Sequence, residues 1–243
     1  MLRARKLLAC LISSHYRQAL LKGVAPSIEH EPALKGKVFD CVVDIGANKG
    51  QFAVFARNCF PQSKIISFEP LPKPARIYQS LFQSDARARL IRAAIGTRSG
   101  TLLINVTAED DSSSPLGIGQ LQTKAFGTVV VDTVEVPCGF LSDYLRENDL
   151  GTKNLLKVDT QGFELEVLRG AGELLDRFDA VYCELSFVEL YVGQSLASEV
   201  ISYLWHRRFN LAGIYNLASG GKLGQLQADM LFVRSKFSDD LSA

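Results

Sequence analysis

From residue 38 onward the chain alternates between short apolar runs and segments whose apolar positions recur three and four apart. Val38–Ile45 (VFDCVVDI) is a run closed by Gly46, the pattern of a strand buried on both faces. Lys49–Cys59 follows as a helix with Phe52, Phe55 and Ala56 on one face, stopped by Pro61. Lys64–Phe68 (KIISF) reads as the next strand, 74–84 as a helix, and Arg89–Ile95 as a third strand, with Leu102–Val106 extending this region. Such alternation implies right-handed crossovers and a doubly wound, mostly parallel α/β sheet with helices on both faces.

The middle breaks the rhythm. Glu109–Gly119 (EDDSSSPLGIG) is a polar surface loop, and Thr128–Val136 is a β-branched strand outside the main alternation. Phe140–Asn148 reads as a short helix. The rhythm resumes with strand Asn154–Val158, helix Phe163–Leu175, strand Ala180–Leu185 and helix Ala197–Arg208. Asn210–Tyr215 and Asp229–Val233, separated by the turn Ser219–Gly224, read as a terminal antiparallel hairpin. Upstream, residues 4–20 place Ala4, Leu7, Leu8, Leu11, Ile12, Tyr16, Ala19 and Leu20 at helical spacing, with Gly23 as the stop. The expected division is a lead-in over 1–37, carrying this amphipathic helix, and one domain over 38–243.

Charge sharpens the view of the lead-in. The 243 residues carry a formal net charge of +1, but residues 1–23 hold five cations and no acid, leaving 22 basic against 26 acidic residues (−4) in the body. A body so balanced is not expected to hold nucleic acid by bulk charge. A basic amphipathic helix can lie on anionic membrane; packing on the domain core is the expectation here. No apolar run approaches the roughly 18 residues of a membrane span, and the start lacks the features of a signal peptide. The five widely spaced cysteines fit neither a zinc site nor a disulfide framework, so a reduced, cytoplasmic setting is expected.

The chemistry concentrates at strand ends. Asp44-Ile45-Gly46-Ala47-Asn48-Lys49-Gly50 joins a buried strand to a helix. Gly46 and Gly50 tolerate positive φ and close approach of a ligand, and Asn48 is placed to cap the helix. Asp44 brings a carboxylate to the carboxyl end of the strand, which suits a ligand with a cationic end. Glu69, followed by Pro70, ends the next strand 23 positions after Gly46, where an acid can accept both ribose hydroxyls of a nucleoside. The turn has no G-x-G-x-x-G, which disfavours a dinucleotide.

In order, DIGANKGQF, SFEP, the loop serines Ser112–Ser114 and LLKVDTQGFELEVLRGAG resemble the FkbM family of class I S-adenosylmethionine-dependent methyltransferases. Gly23–His30 (GVAPSIEH) is similar to the lead-in of part of that family. The resemblance runs from about residue 23 to the end. It implies a seven-stranded sheet with a reversed last strand, S-adenosylmethionine as cofactor, and methylation of a hydroxyl on a sugar, glycolipid or secondary metabolite. Where the family commonly reads D-x-E-G-x-E, this chain reads Asp159-Thr160-Gln161-Gly162-Phe163-Glu164. A neutral Gln161 is a poor ligand for a hard cation, so no metal is expected.

Methyl transfer to oxygen needs a group to take the hydroxyl proton. With Asp44 and Glu69 assigned to the cofactor, Asp159 ranks first, ahead of Glu184 and His30. Two rivals stay open: a nicotinamide-dependent oxidoreductase, and a non-catalytic nucleoside-binding or membrane-surface module. The oligomeric state is not legible.

Overall fold

Apolar alternation along β1 (Cys41–Ile45) explains the layering of the molecule, because successive side chains leave a strand on opposite faces. The computed structural model describes residues 6, 8–10 and 13–235. Val43 and Ile45 face one hydrophobic layer and Val42 faces the other. Asp44 leaves the strand on the Val42 side.

The described chain runs through α1 (Ser14–Leu21), a 3-10 turn at Ile28–His30 and α2 (Glu31–Leu34) into β1, α3 (Gln51–Cys59), β2 (Lys64–Phe68), α4 (Pro72–Phe82) and β3 (Ala88–Ile91). There follow β4 (Ala94–Ile95), β5 (Gly100–Thr107), α5 (Gln120–Phe126), β6 (Val130–Gly139), α6 (Leu141–Tyr144) and β7 (Asn154–Val158). The last elements are α7 (Glu164–Gly170), β8 (Ala180–Ser186), α8 (Ala197–His206), β9 (Phe209–Ser219) and β10 (Gln225–Arg234). Seven strands form one sheet in the order β3-β2-β1-β7-β8-β10-β9. The first five are parallel, and β10 runs antiparallel to both β8 and β9. The terminal hairpin thus supplies the reversed strand. One face is covered by α7 and α8 through Leu165, Leu168, Val200 and Leu204, the other by α3 through Phe52 and Phe55. The expected doubly wound α/β sheet is the observed one.

Three local expectations change. Arg89–Ile95 is two strands. β3 ends at Ile91, and β4 joins a separate three-stranded sheet in the order β4-β6-β5. There β5 and β6 pair antiparallel from Gly100↔Cys138 to Thr107↔Val130. Phe163–Leu175 is likewise not one helix: α7 gives way to a 3-10 turn at Gly172–Arg177, with Gly172 at φ +56°. At the N-terminus, Ser13 accepts from the Tyr16 N–H and opens α1, so a helical cap stands inside the expected 4–20 helix. Tyr16 and Ala19 are buried with Cys10, Val24, Ile28 and Val54, whereas Leu8 and Leu20 of the expected apolar face are exposed. Ala4, Leu7, Leu11 and Ile12 lie outside the described residues.

Candidate active site

At the carboxyl end of β1 the backbone itself forms the wall of a cleft. Gly46 sits at φ +80°, and a Cβ there would lie 1.9 Å from the Asp159 carbonyl oxygen. The Asp159 N–H also donates to the Ile45 carbonyl at 3.1 Å. Gly46 is therefore required by the close approach of β1 to the end of β7. Gly50, at φ +93°, is the N-cap of α3, and a Cβ there would lie 2.9 Å from the Tyr78 ring. That corrects the expectation that Asn48 caps the helix. The Asn48 N–H instead donates to Glu69 Oε2 at 2.8 Å, and the Leu71 N–H donates to Oε1 at 2.8 Å. Burial pushes the Glu69 carboxyl up to about 7 against these two backbone hydrogen bonds. Asn48 Oδ1 is buried without a partner, an acceptor whose desolvation is unrelieved until a donor arrives. Pro70 lines the same wall.

Asp44 is placed differently from the sequence expectation. It is fully buried and does not line the cleft. Its Oδ1 lies 3.2 Å from Lys157 Nζ, in the β7 position opposite it in register. Burial pushes the Asp44 carboxyl up and Lys157 opposes the shift. Lys157 Nζ also lies 3.5 Å from Asp159 Oδ2 and donates to the Gly46 carbonyl at 3.2 Å. Burial works against the lysine's charge, but the two carboxylates overcome it and raise its pKa. Lys157 and Asp159 line the cleft where Asp44 was expected to. Lys157 was not singled out from the sequence. The available signal was a lone charge among the apolar residues Leu155, Leu156 and Val158 of one strand.

Across the cleft the ends of β7 and β8 bring Asp159 and Glu184 together through one amide. Gln161 Nε2 donates to Asp159 Oδ1 at 2.8 Å and to Glu184 Oε2 at 3.1 Å. The other end of that amide is fixed by Tyr191, whose hydroxyl donates to Gln161 Oε1 at 2.6 Å. Burial, then the neighbouring Asp159, raises the Glu184 carboxyl well above its usual range. Gln161, at φ +55°, is also held through its carbonyl, which accepts from Ser114 Oγ at 2.6 Å. The serine loop thus docks on the DTQG turn, while Ser112 and Ser113 line the cleft. Glu164 accepts from the Thr160 and Gly162 N–H groups at 2.9 and 3.1 Å, so it shapes this turn. Among the described residues no group of three or more His, Cys, Asp or Glu side chains is placed to hold a metal.

His30 reaches the cleft from the lead-in. Its Nδ1 lies 3.0 Å from the Tyr182 hydroxyl and 3.3 Å from Asp229 Oδ2. Asp229, on β10, also accepts from Asn216 Nδ2 at 2.7 Å and from the Tyr182 hydroxyl at 3.0 Å. Neither Asp229 nor Asn216 was expected from the sequence, because nothing in DMLFV marks its acid as facing a histidine two hundred positions away.

One cleft of about 820 Å³ joins these parts. Its first half holds Glu69, Pro70 and the turn, with the apolar Ala94, Ile95 and Leu102 alongside. Its second half holds Asp159, Gln161, Glu184, His30 and Asp229, with Asn216 and Gln227. Ligand sites commonly occupy about 300–1,000 Å³, so there is room for a nucleoside and a second small molecule.

A sheet of this strand order, with a glycine turn after β1 and an acid after β2, is that of a class I methyltransferase. The chain belongs to the FkbM methyltransferase family, whose model, Methyltransferase FkbM domain, matches residues 44–211. It is 30% identical over 158 residues to Methyltransferase 1 of Beauveria bassiana (strain ARSEF 2860), covering 59% of this chain and 64% of that one. It is 30% identical over 161 residues to 2-O-methyltransferase NoeI of Sinorhizobium fredii (strain NBRC 101917 / NGR234), covering 63% and 66%. The chain thus spans slightly less than two thirds of these relatives' length. M. capricolum TrmK in complex with S-adenosyl-homocysteine aligns at a TM-score of 0.46 and 8% identity, covering 88% of this chain and 70% of that one. No helix among the described residues is long and apolar enough to cross a membrane.

Proposed function

We propose that this protein transfers a methyl group from S-adenosylmethionine to a hydroxyl of a small, hydroxyl-rich acceptor, a sugar, glycolipid or secondary metabolite. The observation that carries this is the single cleft running from Glu69 to the amide- and carboxylate-lined wall at Glu184, Asn216 and Gln227. The family supports methyl transfer, and the name 2-O-methyltransferase of one relative supports oxygen as the accepting atom.

The residues of the first half fit the cofactor. Glu69, oriented by two backbone N–H groups, keeps lone pairs for a ribose diol, and the partnerless Asn48 Oδ1 accepts one further donor. When bound, the cofactor supplies a methyl group on a positively charged sulfur, already activated for displacement. The chain's own task is to align the acceptor, exclude competing water and take a proton. Asp159 and Lys157, set 3.5 Å apart at the end of β7, offer opposite charges to the two ends of an amino acid moiety. Gln161 holds Asp159 and Glu184 apart at fixed positions, where their remaining lone pairs accept acceptor hydroxyls.

Isothermal calorimetry with S-adenosylhomocysteine and with NAD tests the cofactor, and radiolabelled methyl transfer to a panel of free sugars and their methyl glycosides tests the reaction. The expected result is binding of the first nucleoside alone, with label transferred to oxygen. Binding of NAD, or binding of S-adenosylhomocysteine with no transfer to any hydroxyl, would overturn the proposal.

A further inference from the structure

We propose that His30 is the catalytic base that takes the acceptor hydroxyl's proton, and that Asp229 is the positioning residue that readies it. This rests on the O-methyl transfer proposed above.

The hydrogen-bond network assigns the tautomer of the ring. The Tyr182 hydroxyl has one proton, and of the two groups 3.0 Å from its oxygen the Asp229 carboxylate is a stronger acceptor than a neutral imidazole, which directs that proton to Oδ2. Only oxygen lone pairs then face His30 Nδ1, one on Tyr182 at 3.0 Å and one on Asp229 at 3.3 Å. Nδ1 must carry the proton, since a bare nitrogen there would face two acceptors. The lone pair is therefore on Nε2. Nε2 makes no hydrogen bond among the described residues, and His30 lines the cleft.

The ring is also held in place. It packs edge-on against Phe52, Phe55 and Tyr182, with centroids 5.2, 5.7 and 5.4 Å away. From α3 the phenyl rings of Phe52 and Phe55 meet it; from the sheet the polar neighbours are Tyr182 and Asp229, the buried Asp44 carboxylate acts on it electrostatically, and Lys157 stands beyond Phe52 at 5.5 Å from that ring. Burial works against the charge of Asp229, but hydrogen bonds from His30, Asn216 and Tyr182 hold its carboxyl below the usual range, so it stays an anion. A hydrogen bond from Nδ1–H to a carboxylate fixes an imidazole's orientation and tautomer and leaves Nε2 as the proton acceptor. The rival acids are engaged otherwise: Asp159 by Lys157 and Gln161, Glu184 by Gln161.

The step balances with these groups alone. The hydroxyl oxygen uses a lone pair to form the new C–O bond while the C–S bond breaks and leaves its electron pair on sulfur. The hydroxyl proton passes to Nε2, the imidazolium is stabilised by Asp229, and the proton is lost to water before the next turnover.

The chain has three histidines, His15, His30 and His206, so a long-range proton–nitrogen correlation spectrum of labelled protein resolves each ring. The expected result is an Nδ1–H tautomer for His30, with its signals identified by their loss in His30→Gln and shifted toward Nε2–H in Asp229→Asn. On an acceptor from the sugar panel, His30→Gln should lower kcat by about 10²–10⁴, the range of a lost general base. Asp229→Asn should lower kcat by roughly tenfold to a hundredfold with KM held. Calorimetry with S-adenosylhomocysteine, unchanged within about threefold in both variants, verifies that the site is folded, and His30→Asn repeats the test if His30→Gln does not fold. An Nε2–H tautomer in the parent, or a histidine variant that methylates at the parental rate, overturns the proposal and leaves methyl transfer standing. A parent protein that binds no S-adenosylhomocysteine overturns the methyl-transfer proposal, and this one with it.

Discussion

The two halves of the cleft are built by different means. The half we assign to the nucleoside is made by two adjacent strand ends and is largely backbone: the turn from Gly46 to Gly50, the Asn48 N–H, and one side chain, Glu69, clamped between N–H groups of residues 48 and 71. The half we assign to the acceptor is made by single side chains from five segments, in two hydrogen-bonded groups: Gln161 with Glu184, and Asp229 with His30 and Asn216. A site built from backbone fails by misfolding or losing its ligand. A site built from side chains can lose function residue by residue while the fold persists.

The largest effect should follow from touching the backbone half. Gly46→Ala places a Cβ against the Asp159 carbonyl at positive φ, and thermal or denaturant unfolding should show a loss of about 3–4 kcal/mol. A variant as stable as the parent would mean that β1 and β7 do not meet as described. Next is Glu69→Ala, which should weaken S-adenosylhomocysteine binding by about 2–4 kcal/mol in calorimetry, two charge-assisted hydrogen bonds allowing for non-additivity.

The pH dependence of that affinity is a finer test. Glu69, pushed up to about 7 by burial, must be ionised to accept two ribose hydroxyls. Below pH 7 binding has to expel a proton, so affinity should fall toward tenfold per pH unit, and above it should be flat. Glu69→Gln should abolish this limb; the same slope in the variant would assign it elsewhere. The smallest effect is expected from Asp159→Asn, which keeps the shape and the Gln161 contact: about a tenfold loss of kcat with cofactor affinity retained. A loss of 10²–10⁴ would return the proton-accepting role to Asp159, the residue the sequence ranks first.

The same contrast explains what the sequence disclosed. DIGANKG and SFEP are local: a buried strand, a glycine turn and an acid follow one another, so the nucleoside half is legible without knowing the fold. The main sheet is legible for a related reason, since its strands are continuous apolar runs. β4 was not, because Ala94–Ile95 follows β3 after two residues and changes sheet only through pairing with Cys138 and Gly139. Gln161 stood out as a departure from a family pattern, but its bridge between Asp159 and Glu184 depends on where β8 lies beside β7. Asp44 misled for the opposite reason: its place at a strand end was read correctly, while its ion partner Lys157 became visible only through the register of β1 with β7.

The proposed contact between Glu69 and a ribose diol is the central claim about this half of the cleft. It is measured by titrating S-adenosylhomocysteine and its 2′,3′-dideoxy counterpart into the parent and into Glu69→Ala. The parent should prefer the diol by about 30-fold or more, from two charge-assisted hydrogen bonds, and Glu69→Ala should bind both compounds nearly alike. The same preference in both proteins would contradict it.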